Sequence, residues 1–403
     1  MSLNYTPSSE RTHIGIFGRR NSGKSSLINA ITGQDIAIVS DIEGTTTDPA
    51  KKAIEIPEIG PAVIIDTPGL DDDSALGQKR IEKAKQILNE IDLAILVVDC
   101  SKGFDSFEQE LIKLFEDKSV NYIQVCNKMD LAKNISLKLL EGCNLWSNAI
   151  TGEGISSLIG AIQKALPQQE KEKKLVADLL TEGDIVLLVT PVDKHAPKGR
   201  LILPQQQTIR DILDTKAIAV TAQPQQITKV LAELKNPPRL VITDSQAFAE
   251  TASYLPPEVP LTSFSILLNR YKADLPLSVK GARALKNLKD GDEVLIAEAC
   301  TYIVQEQCEN IGIVKIPKAI EKISGKKINI SFAQGKDFPE LIEKKYALIV
   351  HCGACMLKDS ETRRRFKLAE QTGIPITNYG ILLAYASGIL DRALEPFAAE
   401  LTE

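Results

Sequence analysis

Short apolar runs alternate with segments of helical periodicity from residue 12 to about residue 168. Brief apolar runs between amphipathic stretches predict buried strands that alternate with helices, which is the rhythm of a doubly wound α/β domain. In this part of the chain we predict a helix at residues 25–31 and strands at residues 13–17, 63–65, 93–98 and 122–125. Ligands of such folds bind beyond the carboxyl ends of the strands, so we expect functional residues in the loops that follow them.

Two further α/β patterns follow a charged connector at residues 167–174. The second pattern predicts strands at 185–190, 217–220, 240–242 and 261–264 and helices at 205–213, 225–234 and 245–254. It contains no phosphate loop and no catalytic cluster, which favours a role in dimerisation or spacing. The third pattern predicts strands at 292–297 and 346–350. We therefore predict three domains at residues 1–170, 175–270 and 271–403, with an N-terminal tail of about ten residues and a linker at 168–180.

The composition narrows the class of partner. The chain has 403 residues, 43% of them hydrophobic, and a formal net charge of −5. This acidic balance disfavours nucleic-acid binding, which usually needs a basic surface. Residues 1–11 lack the apolar core of a signal peptide, and no apolar run reaches the ~18 residues that span a bilayer. We expect a cytoplasmic protein with no membrane or nucleic-acid partner.

A phosphate-binding loop lies between the first predicted strand and the first predicted helix. Residues 18–25 read Gly-Arg-Arg-Asn-Ser-Gly-Lys-Ser and match the pattern G-x-x-x-x-G-K-[ST]. In this motif the helix N-terminus and backbone N–H groups hold the phosphates, Lys24 reaches the β- and γ-phosphates, and Ser25 ligates Mg²⁺. The placement between strand and helix argues against a chance Gly-rich turn. The predicted nucleotide contacts in this segment are Gly18, Asn21, Ser22, Gly23, Lys24, Ser25 and Ser26.

Two segments resemble the mobile switches of GTPases. Thr45, Thr46 and Thr47 resemble the first switch. Asp66 and Gly69 resemble the second, in which the Asp holds the Mg²⁺ shell and the Gly amide senses the γ-phosphate. These switches predict a site for a nucleoside triphosphate with its Mg²⁺ ion.

A guanine-reading motif follows the fourth predicted strand. Asn127, Lys128 and Asp130 resemble this motif, in which the Asp carboxylate accepts two hydrogen bonds from guanine that adenine cannot supply. Asn148 and Ala149 stand where GTPases usually have Ser-Ala, and the Ala149 amide would contact the base. The motifs together predict α/β architecture with a P-loop GTPase domain followed by two further α/β domains. The predicted catalytic residues are Lys24, Asp66 and Gly69.

Two positions bear on how water is activated. Leu70 follows Gly69, so the glutamine that positions water in Ras-like enzymes is missing. Asn21 resembles the asparagine of potassium-activated GTPases, which ligates K⁺ where other enzymes place an arginine finger. Alternatively, Asn21 only stabilises its loop. The acidic run at residues 71–73 is either a source of a water-orienting carboxylate or a solvated surface segment.

Three cysteines in the last third of the chain predict a metal site. Cys300 and the pair Cys352 and Cys355 each follow a predicted strand, so the three thiols meet if those strands are neighbours. Inert buried thiols and a redox-active pair are the alternatives for Cys352 and Cys355. Three thiolates suit a [4Fe–4S] cluster with one open iron, whereas zinc needs a fourth ligand, which His351 can provide. The residues leave both metals open.

The union of the GTPase motifs with Cys300 and the segment His351-Cys352-Gly353-Ala354-Cys355 resembles the HydF family of [FeFe]-hydrogenase maturation GTPases, over essentially the whole chain. The family pattern is Cys-x-His, a long spacer and His-Cys-x-x-Cys, and this chain departs from it with Tyr302 at the first His. The resemblance implies a GTPase domain, a dimerisation domain and a domain that binds a [4Fe–4S] cluster through Cys300, Cys352 and Cys355.

The resemblance also implies a labile fourth ligand on the cluster. The candidates are His351, Asp337, Tyr302 and an exogenous molecule. It further implies a homodimeric scaffold that receives a diiron precursor from the radical-SAM maturases HydE and HydG and delivers it to apo-[FeFe]-hydrogenase. GTP hydrolysis would then time the exchange of partners rather than build the cluster.

Two other functions remain open at the level of sequence. An RNA-modifying or ribosome-associated GTPase of the MnmE or Era kind shares Asn21 and both switch motifs, although the acidic balance and the absence of an evident basic RNA module count against it. A zinc-stabilised regulatory GTPase would use the same thiols for a structural metal.

Overall fold

The chain forms two compact units, residues 1–171 and 172–403. The computed structural model describes residues 8–32, 50–56, 59–67, 84, 86–131, 145–166, 174–192, 201–299, 311–335, 338–339, 346–355 and 357–401. Within these ranges no helix is both long enough and apolar enough to cross a membrane.

One six-stranded sheet forms the centre of the first unit. Its strands are β1 (Thr12–Phe17), β2 (Ala50–Ile56), β3 (Gly60–Asp66), β4 (Leu93–Asp99), β5 (Tyr122–Asn127) and β6 (Leu145–Trp146). Helices flanking the sheet are α1 (Lys24–Thr32), α2 (Ser106–Asp117) and α3 (Ile155–Ala165). The strand order is β2-β3-β1-β4-β5-β6, and all pairs are parallel except β2 with β3. The five elements predicted for this unit are confirmed, and each is slightly longer than its predicted range.

Both faces of this sheet are covered, which explains why its central strands read as continuous apolar runs. All seven residues of β4 are buried. Leu93, Ile95 and Val97 pack into the core on one side, and the alternate residues Ala94 and Leu96 pack into the core on the other. The edge strand β2 was not predicted, because Lys51, Lys52 and Glu55 leave it without an apolar run, and only one of its faces is buried.

Two four-stranded parallel sheets form the second unit. The first sheet, in the order β10-β9-β7-β8, contains β7 (Ile185–Val189), β8 (Ile218–Ala222), β9 (Leu240–Thr243) and β10 (Leu261–Ser263). The second, in the order β12-β11-β13-β14, contains β11 (Glu293–Glu298), β12 (Asn329–Gln334), β13 (Leu348–His351) and β14 (Ile376–Asn378). All the strands predicted for this unit are confirmed, whereas β12 and β14 were missed.

The described residues of this unit form nine α-helices. They are α4 (Leu203–Asp214), α5 (Ile227–Glu233), α6 (Phe248–Tyr254), α7 (Phe264–Lys272), α8 (Leu275–Ala284), α9 (Ile316–Ser324), α10 (Asp359–Thr372), α11 (Tyr379–Ala386) and α12 (Leu390–Leu394). A π-helical turn at Ile311–Lys315 precedes α9. The three helices predicted for this unit correspond to α4, α5 and α6.

The core around the first sheet of the second unit is shared with helices that follow the second sheet. This core begins at Leu175 and Val176, inside the predicted linker, and ends at Phe397. Ile381 and Ala384 of α11, which follows the last strand of the second sheet, are buried with the strands of the first sheet. The backbone amides of residues 176 and 177 also donate to the carboxylate of Asp211 on α4. Residues 174–180 therefore belong to the folded body of the second unit.

The strands that precede the cysteines are neighbours. Strands β11 and β13 pair in parallel, and Ala297 lies opposite His351 in their register. The carboxyl ends of parallel strands meet at one edge of a sheet, so the segments after Glu298 and His351 leave from adjacent points. This is the arrangement that the cysteine pattern required.

Candidate functional site

The phosphate loop connects β1 to α1 and is closely packed at both glycines. Gly18 and Gly23 have φ angles of +140° and +92°, which side-chain-bearing residues rarely adopt. A Cβ atom would overlap the Val97 carbonyl oxygen at Gly18 and the Asn127 amide nitrogen at Gly23. The Lys24 ammonium, at the start of α1, donates to the carbonyl oxygens of Gly18 (2.9 Å) and of residue 19 (2.7 Å). The lysine therefore lies inside the curve of the loop, where phosphate oxygens would meet it.

A serine and a carboxylate meet on the magnesium side of the loop. Ser25 Oγ lies 3.4 Å from Asp66 Oδ2, at the end of β3. Asp66 Oδ1 is buried and has no hydrogen-bond partner among the residues that the structure describes. Burial raises the pKa of the Asp66 carboxyl, and the charge of Lys24 and the Ser25 hydrogen bond lower it in part. A hydroxyl beside a carboxylate with an unused buried oxygen is a donor set that fits Mg²⁺.

Asn127 joins the phosphate loop to the loop that follows β6. Its side-chain nitrogen donates to the Ser22 carbonyl oxygen (3.2 Å), and its side-chain oxygen accepts from the Ala149 amide (3.2 Å) and the Ser147 hydroxyl (3.3 Å). Asn148 Oδ1 accepts the amides of residues 150 and 151 and thereby holds the turn that carries Ala149. Asn148 thus supports the turn through its side chain, although it departs from the usual Ser.

Lys128 clamps the phosphate loop to β4. Its ammonium donates to the Asn21 carbonyl oxygen (2.6 Å) and to Asp99 Oδ2 (2.7 Å). Although burial alone would raise it, hydrogen bonds from Lys128 and Ser101 hold the pKa of the Asp99 carboxyl below its usual value. The sequence analysis did not identify Asp99 as a site residue. Its position as the last residue of a buried strand could have indicated it. Asp130 lies nearby on the short helical turn Met129–Leu131, where its side chain is exposed.

Arg19 of the phosphate loop binds two carboxylates of the segment that begins α2. Its Nε donates to Glu108 Oε1 at 2.9 Å, and its Nη2 binds Asp105, the N-cap of α2. The guanidinium also lies 4.9 Å from the centre of the Phe107 ring. This arginine holds the loop to α2 and is not directed at the phosphate-binding curve of the loop.

The cysteine loop, residues 352–355, leaves the end of β13. The Cys352 amide donates to the Ala297 carbonyl oxygen (2.9 Å), and Cys352 Sγ accepts from the amides of Ala299 (3.1 Å) and Ala354 (3.5 Å). Ala354 has a φ of 54°, a left-handed backbone conformation that turns the chain between Cys352 and Cys355. Both cysteines are half-buried, and Cys355 packs against the shared core. Amide hydrogen bonds to sulfur are a feature of iron–sulfur sites.

The surroundings of Cys352 disfavour the deprotonated thiolate when no cation is bound. Burial raises its pKa to about 12, with the charges of Cys355 and Glu298 adding to the effect, although the amides of Ala299 and Ala354 act in the opposite direction. A coordinating metal ion deprotonates such a thiol outright. The loop is thus suited to hold a thiolate when a cation is bound to it.

Glu298, the last residue of β11, was missed by the sequence analysis. Its carboxylate is 9% exposed and accepts a hydrogen bond from the Tyr379 hydroxyl at 3.0 Å. Burial raises the pKa of the Glu298 carboxyl, and the Tyr379 hydrogen bond lowers it in part. A buried acid at a strand end, two residues before Cys300, was the signal that could have identified it.

His351 is fully buried, and both of its ring nitrogens have partners in the protein. Nδ1 lies 2.9 Å from the Cys352 carbonyl oxygen, and Nε2 lies 3.2 Å from Arg365 Nη1. Burial and the charge of Arg365 lower the pKa of His351 to about 4. The ring is therefore neutral, and its nitrogens are occupied by contacts other than a metal.

Several predicted site residues lie outside the described ranges. They are Thr45, Thr46, Thr47, Gly69, Cys300, Tyr302 and Asp337, together with Leu70 and the acidic run at 71–73. Within the described ranges no group of three His, Cys, Asp or Glu side chains converges as a metal site. The structure therefore brings Cys352 near Cys355 and Glu298 and leaves the contribution of Cys300 a prediction.

Comparison with protein families divides the chain in three. Residues 13–128 match the model of the 50S ribosome-binding GTPase family. Residues 175–273 match the hydrogen maturase F dimerization domain, and residues 276–396 match the hydrogen maturase F tetramerization domain.

Individual relatives match the GTPase part alone. The tRNA modification GTPase MnmE of Thermoanaerobacter sp. strain X514 is 35% identical over 173 residues, which are 43% of this chain and 35% of that protein. MnmE of Chromobacterium violaceum is 41% identical over 124 residues, 30% of this chain and 27% of that protein. GTPase Der of Kosmotoga olearia is 37% identical over 136 residues, 32% of this chain and 30% of that protein. The chain thus spans about a third of the length of these relatives. The first domain is a P-loop GTPase domain, and the other two domains set this chain apart from those relatives.

Proposed function

Because the chain belongs to the HydF family of hydrogen maturases, we propose that it is a GTP-hydrolysing scaffold in the maturation of [FeFe]-hydrogenase. In this role it binds a [4Fe–4S] cluster and a diiron precursor and transfers the precursor to apo-hydrogenase. The observation that carries the proposal is the presence of two HydF-specific domains behind a GTPase domain. Hydrogen bonds of Lys24 and Asn127 within that domain support it. Matches to MnmE and Der extend only over the GTPase domain, so they do not favour an RNA-linked function.

GTP is proposed to bind the phosphate loop through its phosphates and Mg²⁺, and the turn at Ala149 through its base. Lys24 and the amides of residues 21–26 hold the phosphates, and Ser25 with Asp66 holds Mg²⁺, which neutralises developing charge when bound. Asn127 and Lys128 keep the phosphate loop and the base-binding turn in register, so that Asp130 and the Ala149 amide meet guanine. Gly69 and the threonines 45–47 complete the site as switch residues in the proposal.

Asp130→Asn should exchange guanine preference for xanthine preference. The carboxylate accepts two hydrogen bonds from guanine, and each bond to a charged group is worth about 1.5–3 kcal/mol, so GTP affinity should fall about 100-fold or more. An amide in its place donates to the additional oxygen of xanthine. Titration with fluorescent GTP and XTP analogues measures both affinities. Glu153→Gln changes another exposed carboxylate of the same domain; it is the matched control and should retain GTP preference. Equal hydrolysis of ATP and GTP by the unmodified protein would contradict the role of Asp130.

Potassium is proposed to supply the positive charge that an arginine finger supplies elsewhere. Arg19 is bound to Asp105 and Glu108, so the first arginine of the loop is occupied. Asn21 has a φ of 63° and an exposed side chain, while its carbonyl is held by Lys128. This conformation leaves the carboxamide pointing outward from a fixed backbone, where it can ligate a cation.

The rate of GTP hydrolysis should be higher in K⁺ than in Na⁺ by about tenfold or more, the range expected for a charge placed on the transferring phosphoryl group. Asn21→Gly removes the carboxamide and retains the left-handed backbone that Lys128 holds. In that variant the two salts should give equal, low rates. Phosphate release measured at matched ionic strength tests this, with Lys164→Ala on α3 as a control. Equal rates in both salts for the unmodified protein would remove potassium from the mechanism.

The cluster is proposed to bind Cys300, Cys352 and Cys355. The amide of Ala299, the residue that precedes Cys300 in the sequence, donates to Cys352 Sγ. This supports a contribution from Cys300 to the same site. Glu298 is the described carboxylate nearest in sequence to Cys300 and interacts with Cys352, which makes it a candidate for the fourth position. A carboxylate is exchanged more readily than a thiolate, which suits a site that must accept and release a precursor.

The partners are proposed from the family. They are the radical-SAM maturases HydE and HydG, apo-[FeFe]-hydrogenase, and further copies of this chain, for which the dimerization and tetramerization domains provide the support. Nucleotide-dependent ordering of the switches is proposed to time the exchange of these partners.

A reconstitution experiment tests the function as a whole. Anaerobically purified protein should contain iron and sulfide with the broad visible absorption of an iron–sulfur cluster. After loading by the two maturases, it should activate apo-hydrogenase on mixing. Bound zinc without iron would support a structural metal instead, and cluster-loaded protein that never activates apo-hydrogenase would rule out the transfer role.

A further inference from the structure

Arg365 is a buried arginine that reaches the cysteine loop. It lies on α10 with its side chain 1% exposed. Its Nε donates to Glu361 Oε1 at 2.7 Å, its Nη2 donates to the Gly335 carbonyl oxygen at 2.7 Å, and the ring of Phe338 lies 4.8 Å away. The remaining nitrogen, Nη1, lies 3.2 Å from His351 Nε2. The guanidinium is therefore fixed from three sides and is directed at one ring nitrogen.

The two contacts of the His351 ring require the same tautomer. A guanidinium has donors and no acceptor, so Nε2 must accept from Arg365 and carries no proton. The Cys352 carbonyl oxygen can only accept, so Nδ1 must carry the proton and donate to it. The carbonyl requires a proton on Nδ1, whether the ring is neutral or charged, and the guanidinium excludes a proton on Nε2. The two contacts together select the neutral Nδ1–H form.

The Cys352 carbonyl is one of several fixed groups around this residue. The Cys352 amide is bound to the Ala297 carbonyl oxygen, and its sulfur accepts from Ala299 and Ala354. With His351 on its carbonyl, both peptide groups of Cys352 are held, immediately before the left-handed turn at Ala354. The histidine is thus one of the groups that hold the backbone from which the Cys352 sulfur extends.

We propose that Arg365 is a positioning residue for the metal thiolates: it fixes His351 as the Nδ1–H tautomer, and His351 in turn anchors the Cys352 carbonyl and the turn that carries Cys352 and Cys355. In this role His351 is a hydrogen-bonding link and not a ligand of the metal. The relation to a cluster rests on the proposed function, whereas the tautomer is a property of the protein alone. Ligating histidines are oriented through the nitrogen that does not bind the metal, and here both nitrogens are used for orientation.

Nitrogen NMR of the cluster-free full chain tests the tautomer directly. The chain has three histidines, so ¹⁵N-histidine labelling gives few signals, and the loss of one signal in His351→Asn assigns it. The unmodified protein should show His351 as the neutral Nδ1–H form. Arg365→Met removes the group that excludes a proton from Nε2, so a population protonated at Nε2 should appear beside the Nδ1–H form. Arg365→Lys, which keeps a donor, should show less of this population. Arg364→Met is the matched control, because Arg364 also binds Glu361 from the same helix. A neutral Nε2–H ring, or an unchanged tautomer in folded Arg365→Met, would overturn the proposal.

Two His351 variants separate the linking role from metal ligation in cluster-loaded protein. Asparagine places its amide nitrogen at the position of Nδ1 and can still donate to the Cys352 carbonyl, whereas glutamine places its amide at the position of Nε2. His351→Asn should keep the reduction potential and the paramagnetic resonance spectrum of the cluster, and His351→Gln should shift both while retaining most of the iron. Equal shifts in both variants, or hyperfine coupling of the cluster to a ¹⁵N-labelled histidine, would show ligation and overturn the proposal. Unmodified protein that holds no iron would count against the proposed function, while the NMR result would still decide the inference.

Discussion

Cys352→Ala and Cys355→Ala should each remove most of the cluster-bound iron. Each change replaces a thiolate that we propose to ligate the metal by a methyl group in a half-buried loop. Losing one of three thiolates also removes the constraint that holds the other two at chelating distance. Iron and sulfide per chain after anaerobic reconstitution, together with the absorption spectrum, measure the effect. Cys300→Ala should give the same loss if the thiol after β11 completes the set.

The control for these variants is a cysteine of the other unit. Cys100→Ala removes a buried thiol that follows β4 in the GTPase domain. It should leave the iron content unchanged, because Cys100 is not among the proposed ligands, and it therefore controls for the general effect of losing one thiol. Full cluster loading in Cys352→Ala or Cys355→Ala would refute the assignment of the metal site. By contrast, Glu298→Gln should retain the iron and alter the paramagnetic resonance spectrum if this carboxylate holds the fourth position.

Lys24→Ala should reduce GTP hydrolysis at least about 100-fold, the typical loss when one preorganised group that stabilises transition-state charge is removed. The ammonium lies within the curve of the phosphate loop, 2.9 Å and 2.7 Å from two of its carbonyl oxygens. Its removal takes away the charge nearest to the β- and γ-phosphates. Single-turnover phosphate release separates this loss from weaker binding, which a nucleotide titration measures in parallel.

Iron content provides the internal check on this variant. The GTPase domain and the cysteine loop belong to different compact units, so Lys24→Ala should bind as much iron as the unmodified protein. Lys164→Ala, an exposed lysine of α3, should behave like the unmodified protein in both measurements. Hydrolysis by Lys24→Ala at an undiminished rate would mean that the phosphate loop is not the catalytic site.

The central strands were predictable because burial on both faces makes them continuous apolar runs. Strand β4 is the clearest example, since all of its residues are buried. The edge strands β2 and β12 were missed because polar residues interrupt their apolar runs, as Asn329, Ser331 and Gln334 do in β12. For the short strand β14, only three residues pair with β13, too few for a periodic signal.

The nucleotide site was readable from sequence because its motifs are contiguous, whereas the supporting contacts are not. Asp99 acts through Lys128, 29 positions away, and no local pattern marks that pairing. The surroundings of His351 show the same limitation. Its adjacency to Cys352 suggested a metal ligand, but its ring binds Arg365, 14 positions further along the chain. The sequence does not show that α10 packs beside β13, and this packing brings Arg365 to the ring nitrogen of His351 that a metal could otherwise bind.

The common core of the second unit has a consequence for how that part of the protein loses its structure. Family boundaries divide it near residue 275, but Ile381 and Ala384 are buried among the strands of the earlier sheet, and Lys272 of α7 donates to the Leu357 carbonyl beside the cysteine loop. Neither half can therefore melt without exposing apolar surface of the other, so the two are expected to unfold in one cooperative transition. The cysteine loop and the segment that matches the dimerization domain are therefore expected to behave as a single foldon.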